Sequence, residues 1–292
     1  MSPASPLLFP DPESVAANVQ AALAEDIGCG DLSASLIPEN TPARAAVITR
    51  EAGVLCGLAW FEQSFHALDA SIRIEWQAEE GEVIAPNQTL CTLAGSARAL
   101  LSGERTALNF LQLLSGVASK TRRYVDLVAG TRAQIVDTRK TLPGLRAAQK
   151  YAVRIGGGGN HRMALWDAIL IKENHILAAG GIHPAVKAAR VVAENSGGRC
   201  RFVQVEVETL AELEEALEAG ATMILLDNFS LPNLREAVAR NQGRAILEAS
   251  GGLEAAQLRA IAETGIDRIS IGALTKHVQA LDLSMRFTVE RA

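Results

Sequence analysis

The chain has 292 residues, 48% of them hydrophobic and 21% charged, with a formal net charge of −5 at pH 7. That is material for one large or two medium globular domains, and the acidic balance excludes a general nucleic-acid or membrane surface. Aromatic residues are too few for a base-stacking platform, and no apolar run reaches the ~18 residues of a membrane span.

The opening residues, MSPASPLLFPDPES, lack a basic segment ahead of a long apolar core, so no signal peptide is expected. Ser14 to Ile27 follows a helical pattern that stops at Gly28, and Ala43 to Arg50 alternates like a strand. Gly57 to Asp69 is helical again, and Ile72, Ile74 and Trp76 alternate. Gly81 and the Pro86-Asn87 turn separate two short strands. A long helical stretch runs from about Ala97 to Val128, with Gly103 and Gly116 as expected breaks. Four cysteines, Cys29, Cys56, Cys91 and Cys200, show no metal-ligand spacing and stand beside no histidine. They read as reduced thiols of a cytoplasmic protein.

The texture then changes. Strand candidates at Ala133–Val136, Ala168–Ile171, Phe202–Val205, Met223–Leu226, Ala245–Leu247 and Arg268–Ile271 are continuous apolar runs, as in a parallel sheet covered on both faces. Helical patterns lie between most of them, at Gly144–Ile155, Pro184–Glu194, Leu210–Ala219, Leu234–Arg240 and Ala255–Glu263. The expected class is α/β: an N-terminal α+β sandwich (1–114) followed by an incomplete (β/α) barrel (115–279), with an open doubly wound sheet as the rival. Residues 280–292 form a tail expected to pack back on the first domain.

Polar residues at the strand ends locate the site. From Asp137 to Lys172 the chain carries seven Lys or Arg against two acids, opposite in sign to the whole. Strands end on Asp137-Thr138-Arg139-Lys140, Lys172, Glu206, Asp227, Ser250-Gly251-Gly252 and Gly272. In a barrel these ends open onto one face, where active sites form. Arg139 and Arg162 suit planar anions, because a guanidinium matches carboxylate or phosphate oxygens two at a time. Lys172 directly follows Ile-Leu-Ile, and a buried lysine needs an anionic partner. Gly156 to Gly159 lack dinucleotide-binding spacing and suggest a flexible lid or a close-approach loop ahead of His161. Glu206 and Asp227 could ligate metal, accept hydroxyls or act as acid and base. Glu208 is expected to point away from Glu206. Ser250-Gly251-Gly252 and Gly272 sit where barrels hold a phosphate on backbone N–H groups and a helix N-terminus.

Nearly the full length resembles the quinolinate phosphoribosyltransferase family, the nicotinate-nucleotide pyrophosphorylases. The residues that carry the resemblance run from Glu25-Asp26-Ile27-Gly28-Cys29-Gly30-Asp31 and Ser102-Gly103-Glu104-Arg105-Thr106-Ala107-Leu108-Asn109 through Asp137-Thr138-Arg139-Lys140-Thr141, Lys150-Tyr151-Ala152-Val153 and Gly158-Gly159-Asn160-His161-Arg162. They continue in Leu170-Ile171-Lys172-Glu173-Asn174-His175, Leu226-Asp227-Asn228-Phe229, Glu248-Ala249-Ser250-Gly251-Gly252 and Ser270-Ile271-Gly272. The resemblance implies transfer of phosphoribosyl from phosphoribosyl pyrophosphate to quinolinate with loss of CO₂, assisted by Mg²⁺.

By position, the resemblance implies that Arg105, Arg139, His161, Arg162 and Lys172 surround the two carboxylates, with Thr138 and Lys140 beside them. Lys140, Lys172, Glu206 and Asp227 are the implied catalytic set. Glu206 and Asp227 face the ribose and the metal, directly or through substrate and water. Ser250, Gly251, Gly252 and Gly272 hold the 5′-phosphate. Arg105 is implied to come from the partner of a homodimer, or of a larger multiple of it.

Three alternatives carry discriminators. A paralogue using nicotinate needs fewer cations than a diacid enzyme. A non-catalytic phosphosugar-binding barrel would have no use for Lys140, Glu206 and Asp227 together. A Schiff-base aldolase would form a borohydride-trappable adduct on Lys172.

Overall fold

A computed structural model describes residues 10–39 and 41–289. In chain order the elements are α1 (Pro12–Ile27), β1 (Pro42–Thr49), β2 (Gly53–Val54), α2 (Leu58–His66), β3 (Arg73–Trp76), β4 (Val83–Ile84), β5 (Thr89–Ser96) and α3 (Ala97–Leu127). Then come β6 (Gln134–Val136), α4 (Arg146–Ile155), β7 (Ile169–Ile171), α5 (Glu173–Ala179), α6 (Ile182–Glu194), β8 (Val203–Val207), α7 (Leu210–Glu218) and β9 (Met223–Asp227). The last are α8 (Leu231–Asn241), β10 (Ile246–Ser250), α9 (Leu258–Ala262), β11 (Arg268–Ser270), α10 (Ala273–Lys276) and β12 (Leu283–Val289). No single described helix is long and apolar enough to cross a membrane.

Two compact units divide the chain, and neither is one continuous segment. Unit 1 comprises the chain up to Arg122, Thr141–Gly157 and the chain from Leu274 on; unit 2 comprises Arg123–Lys140 and Gly158–Ala273.

Unit 1 is a sandwich of helices on an antiparallel sheet ordered β12-β1-β5-β3. Alternating burial along β1 gives the sheet one apolar face, where Ala43, Ala45 and Val47 meet Phe61 and Phe65 of α2 and Leu100, Leu108 and Leu111 of α3 in one core. The Asp11 carboxylate accepts the backbone N–H groups of Glu13 and Ser14 and so starts α1, which stops at Gly28 in a positive-φ conformation. Within the tail, Leu283–Val289 form the edge strand β12, paired antiparallel with β1, and 290–292 lie outside the described residues.

Gly103 and Gly116 do not break α3, which is continuous. A Cβ at Gly103 would lie 2.8 Å from Phe65 Cδ1, and one at Gly116 would overlap the carbonyl oxygen of Gln279. These glycines let neighbours approach the helix, and burial of its apolar face outweighs their low helix propensity. The Gly144–Ile155 pattern is α4, whose buried Gln149 donates to the Thr275 carbonyl at 2.9 Å and accepts from Leu142 N–H at 2.8 Å, all within unit 1.

Unit 2 is the incomplete (β/α) barrel, and its six parallel strands run β6-β11-β10-β9-β8-β7. The order is cyclic apart from the seam between β6 and β7. There Gly159 runs parallel to β6, donating to Ile135 O at 2.8 Å and accepting from Asp137 N–H at 3.1 Å. A Cβ on Gly159 would lie 2.9 Å from Gln134 Cδ, so a larger residue there must displace the exposed Gln134 side chain. This half of the glycine run is therefore pinned to the sheet edge rather than free to act as a lid.

Candidate active site

Two-residue steps put Gln204 and Glu206 of β8, Leu225 and Asp227 of β9, and Glu248 and Ser250 of β10 on matching faces of their strands. Register sets Glu206 beside Leu225, Leu225 beside Glu248, and Ser250 beside Asp227. Over them lies a cavity of about 320 Å³ whose lining comes wholly from unit 2. Among the predicted residues it gathers Thr138, Arg139, Lys140, His161, Arg162, Lys172, Glu206, Asp227 and Ser250. Leu170, Leu225, Glu248 and Ser270 also line it and were not anticipated. Most of these sit two positions before a predicted strand-end group, so the strand period was the available signal.

The cations differ in setting. Lys172 Nζ meets both Glu206 oxygens, at 2.6 and 2.8 Å, and the half-buried pair spans the ends of adjacent strands. Arg162 is buried; burial and the neighbouring Arg139 pull its guanidinium below the ordinary value, opposed by Asp167 and Glu206. It remains a cation. Two guanidiniums that disfavour one another across a cavity are poised for an anion. Lys140 is exposed at the rim, and its backbone N–H donates to Thr138 Oγ1 at 3.0 Å.

Buried carboxylates hold this arrangement. Asp137, fully buried, accepts from Asn160 Nδ2 at 2.6 Å and His161 N–H at 2.9 Å. Asp167 accepts the N–H groups of Met163 and Ala164, both at 2.8 Å, and pairs with Arg201 at 2.9 Å. Burial pushes the Asp167 carboxyl up, but those N–H bonds and the Arg201 guanidinium win and hold it below the usual carboxylate value. The loop carrying Arg162 is thus braced at both ends.

His161 was expected at the substrate carboxylates, and it does line the cavity, yet both ring nitrogens face protein groups. Nδ1 accepts the Arg162 N–H at 2.7 Å, which places the ring proton on Nε2, 2.7 Å from Gln204 Oε1 and 3.6 Å from Glu248. Glu248 is fully buried and also lies 3.2 Å from Arg268 Nε. Glu208 is separated from Glu206 by the end of β8 at Val207, not by the pleat, since residues two apart share a face. It is exposed, and its N–H donates to Glu212 at 2.7 Å.

Of the phosphate-loop candidates Ser250 lines the cavity; Gly251 and Gly252 follow it in the chain, and Gly272 lies against Lys140 and Thr138 of the lining. Gly251 has φ +128°, a conformation that favours glycine, and nothing lies within 4 Å of a Cβ placed on Gly252. A Cβ on Gly272 would lie 2.7 Å from Lys140 Cδ and 3.4 Å from Thr138 Oγ1. The helices that follow are short: a 3₁₀ turn at Ala255–Gln257 leading into the five-residue α9, and the four-residue α10. Helices this short would offer an anion little dipole, which leaves the loop backbone as the donor set at these turns. Arg105 is exposed on α3 in unit 1, and the fully buried Lys150 of α4 also belongs to unit 1.

Among the described residues no three His, Cys, Asp or Glu groups converge as a metal cage. Glu206 holds an ammonium on both oxygens, and Asp227 Oδ2 accepts Asn228 Nδ2 at 2.8 Å. These donors suit an ion that arrives with a polyphosphate better than a resident, protein-caged one.

Fold and site together define an incomplete α/β-barrel enzyme whose cavity is lined by Arg139, Lys140, Arg162 and Lys172. Models of the quinolinate phosphoribosyl transferase N-terminal and C-terminal domains match residues 31–115 and 117–286. The chain is 40% identical over 277 residues to nicotinate-nucleotide pyrophosphorylase (carboxylating) of Mycobacterium leprae, covering 91% of this chain and 95% of that one. It is 38% identical over 291 residues to a Nicotiana tabacum quinolinate phosphoribosyltransferase (decarboxylating), covering 94% and 82%. The structure of the nicotinate-nucleotide pyrophosphorylase from Francisella tularensis superposes with a TM-score of 0.92 at 43% identity, covering 98% of this chain and 100% of that one. The chain belongs to the quinolinate phosphoribosyl transferase family.

Proposed function

We propose that this enzyme transfers phosphoribosyl from 5-phosphoribosyl 1-pyrophosphate to quinolinate with decarboxylation, yielding nicotinate mononucleotide, pyrophosphate and CO₂ for NAD biosynthesis. The observation that carries the reading is the single cavity in which Arg139, Lys140, Arg162 and Lys172 stand with Glu206, Asp227 and Ser250.

In this reading Arg139, Arg162 and Lys172 grip the two carboxylates and aim the pyridine nitrogen at the anomeric carbon, with Thr138 beside them. His161 contributes by fixing the Arg162 backbone. Glu206 and Asp227 receive the ribose hydroxyls, and Ser250, Gly251, Gly252 and Gly272 receive the 5′-phosphate. Breaking the bond to pyrophosphate builds positive charge on the sugar and negative charge on the leaving group, so alignment and charge neutralisation supply the catalysis. Lys140 faces the departing pyrophosphate. Glu206 and Asp227 would hold Mg²⁺ through substrate and water, and the ion would supply further charge neutralisation there. Ribosylation makes the ring a pyridinium, which can hold the electron pair left at C2 when CO₂ departs; that carbon then takes a proton from water, so this step needs no protein base.

The working unit is a homodimer, or a multiple of it, in which Arg105 completes the neighbour's site, and it operates in the cytoplasm. Release of labelled CO₂ from quinolinate only when phosphoribosyl pyrophosphate and Mg²⁺ are present is the expected result. Turnover of nicotinate as fast as quinolinate would overturn the diacid assignment.

A further inference from the structure

Three described residues other than glycine have positive φ: Asn87, Asn228 and Gln242. Asn87 lies in the turn before β5 and Gln242 caps α8. Asn228 (φ 56°) is outside the cavity lining but, alone of the three, directly follows a lining residue, Asp227. Asparagine tolerates this conformation better than most residues, but it still costs about 1 kcal/mol and persists where neighbours hold it.

What Asn228 touches explains the position. Its backbone N–H donates to Ser250 O at 3.0 Å, across from β9 to the end of β10. Its side-chain amide donates to Asp227 Oδ2 at 2.8 Å. Its Oδ1 occupies the space that a Cβ on Gly251 would fill, and that Cβ would also lie 3.2 Å from the Asn228 backbone nitrogen. One residue therefore contacts the carboxylate at one end of the site and the Ser250-Gly251 turn at the other. The turn can adopt its positive-φ path only as glycine, and Asn228 lies against that glycine.

We infer that Asn228 is a positioning residue that sets the spacing and orientation of the Asp227 carboxylate relative to the Ser250-Gly251-Gly252 turn, and so acts as a gauge for the length of a 5-phosphorylated ribose. This rests on the assignment of those groups to the sugar hydroxyls and the 5′-phosphate. The amide orients Asp227 by donating to one oxygen, leaving the other for a hydroxyl. The backbone bond fixes the turn. Neither act requires Asn228 to touch substrate.

The test uses Asn228→Gly and Asn228→Asp in the full-length enzyme. Glycine keeps the positive φ and the bond to Ser250 while deleting the amide. Aspartate keeps the shape, but replaces the donor with a second anion beside Asp227. Both are expected to raise the KM for phosphoribosyl pyrophosphate at least tenfold, Asn228→Asp more, while the KM for quinolinate stays within twofold and Tm is nearly unchanged for Asn228→Gly. Ribose 5-phosphate, titrated calorimetrically, separates the gauge from the reaction. It should bind the wild type and bind Asn228→Gly at least tenfold more weakly, even if the wild type turned over no quinolinate. Equal binding of ribose 5-phosphate by wild type and Asn228→Gly, or equal losses for both substrates, would overturn the inference, as would a wild type that binds no ribose 5-phosphate.

Discussion

At the scale of single residues, the cations of the site differ in what they face. Lys172 is paired with Glu206, and Lys140 lies at the exposed rim, where the proposed function sets it against the departing pyrophosphate. On that reading Lys140→Ala should lower kcat by roughly 10²-fold, the order seen when a transition-state charge donor is removed, with quinolinate binding little changed. Wild-type turnover would remove Lys140 from the mechanism. Arg162→Lys keeps the charge but loses the planar fork, and a charge-assisted hydrogen bond is worth about 1.5–3 kcal/mol. The KM for quinolinate should rise roughly 10- to 100-fold, and an unchanged KM would show that Arg162 does not grip a carboxylate.

Asp167 makes a pH prediction. Its folded-state pKa lies below the unfolded value, so its contribution is fully present above about pH 4 and is lost as the pH falls through the lower, folded value. Asp167→Asn should lower Tm at neutral pH, by about 1–3 kcal/mol of stability. The difference from wild type should shrink in acid; a constant difference down to pH 2 would contradict the linkage. Arg139 and Lys172 were legible as cavity residues because a cation at an apolar strand end has few other reasons to be there, whereas Arg162, on a loop, was marked by its motif. The two-sided engagement of His161 was not legible, because it depends on Gln204 and Glu248, brought in from other strands.

At the scale of elements, the strands of unit 2 were legible because parallel strands buried on both faces are short unbroken apolar runs. The termini moved by at most three residues, from one at the end of β9 (Met223–Asp227) to three at the end of β10 (Ile246–Ser250). Short elements escaped: β2 has two residues, α10 has four, and α5 has no buried residue to mark a periodic face. The glycines of α3 misled for a physical reason. Intrinsic propensity penalises glycine in a helix, but nothing local reveals that Gln279 lies against position 116. Gly116→Ala should thus invert the usual rule. Where alanine in a helix normally stabilises by up to ~1 kcal/mol, overpacking here should cost about 1–3 kcal/mol, read as a fall in Tm. A more stable variant would mean that the Gln279 segment yields freely.

At the scale of the whole molecule, the cavity lining comes from unit 2, and Arg105 lies outside it. If Arg105 serves a neighbour's site, two inactive variants should rescue one another. Mixed and reassembled Arg105→Ala and Lys140→Ala subunits would form hybrids with one intact site, giving about a quarter of wild-type activity in a twofold dimer. No recovery after verified subunit exchange would put Arg105 in its own site or none. The sequence alone conveyed the order of the two folds, but not the route of the chain between units, because the Thr141–Gly157 excursion is an ordinary amphipathic helix in pattern.

The pairing of β12 with β1 bears on how the protein is made. Ala43 to Thr49 precede their edge partners Leu283 to Val289 by the whole of the barrel. The N-terminal sheet therefore waits, with that edge of β1 open, until all of unit 2 has been synthesised. Such an edge invites pairing with a neighbouring nascent chain. A stop after Gly272 that spared every strand end of the cavity would still leave the first-made sheet unfinished.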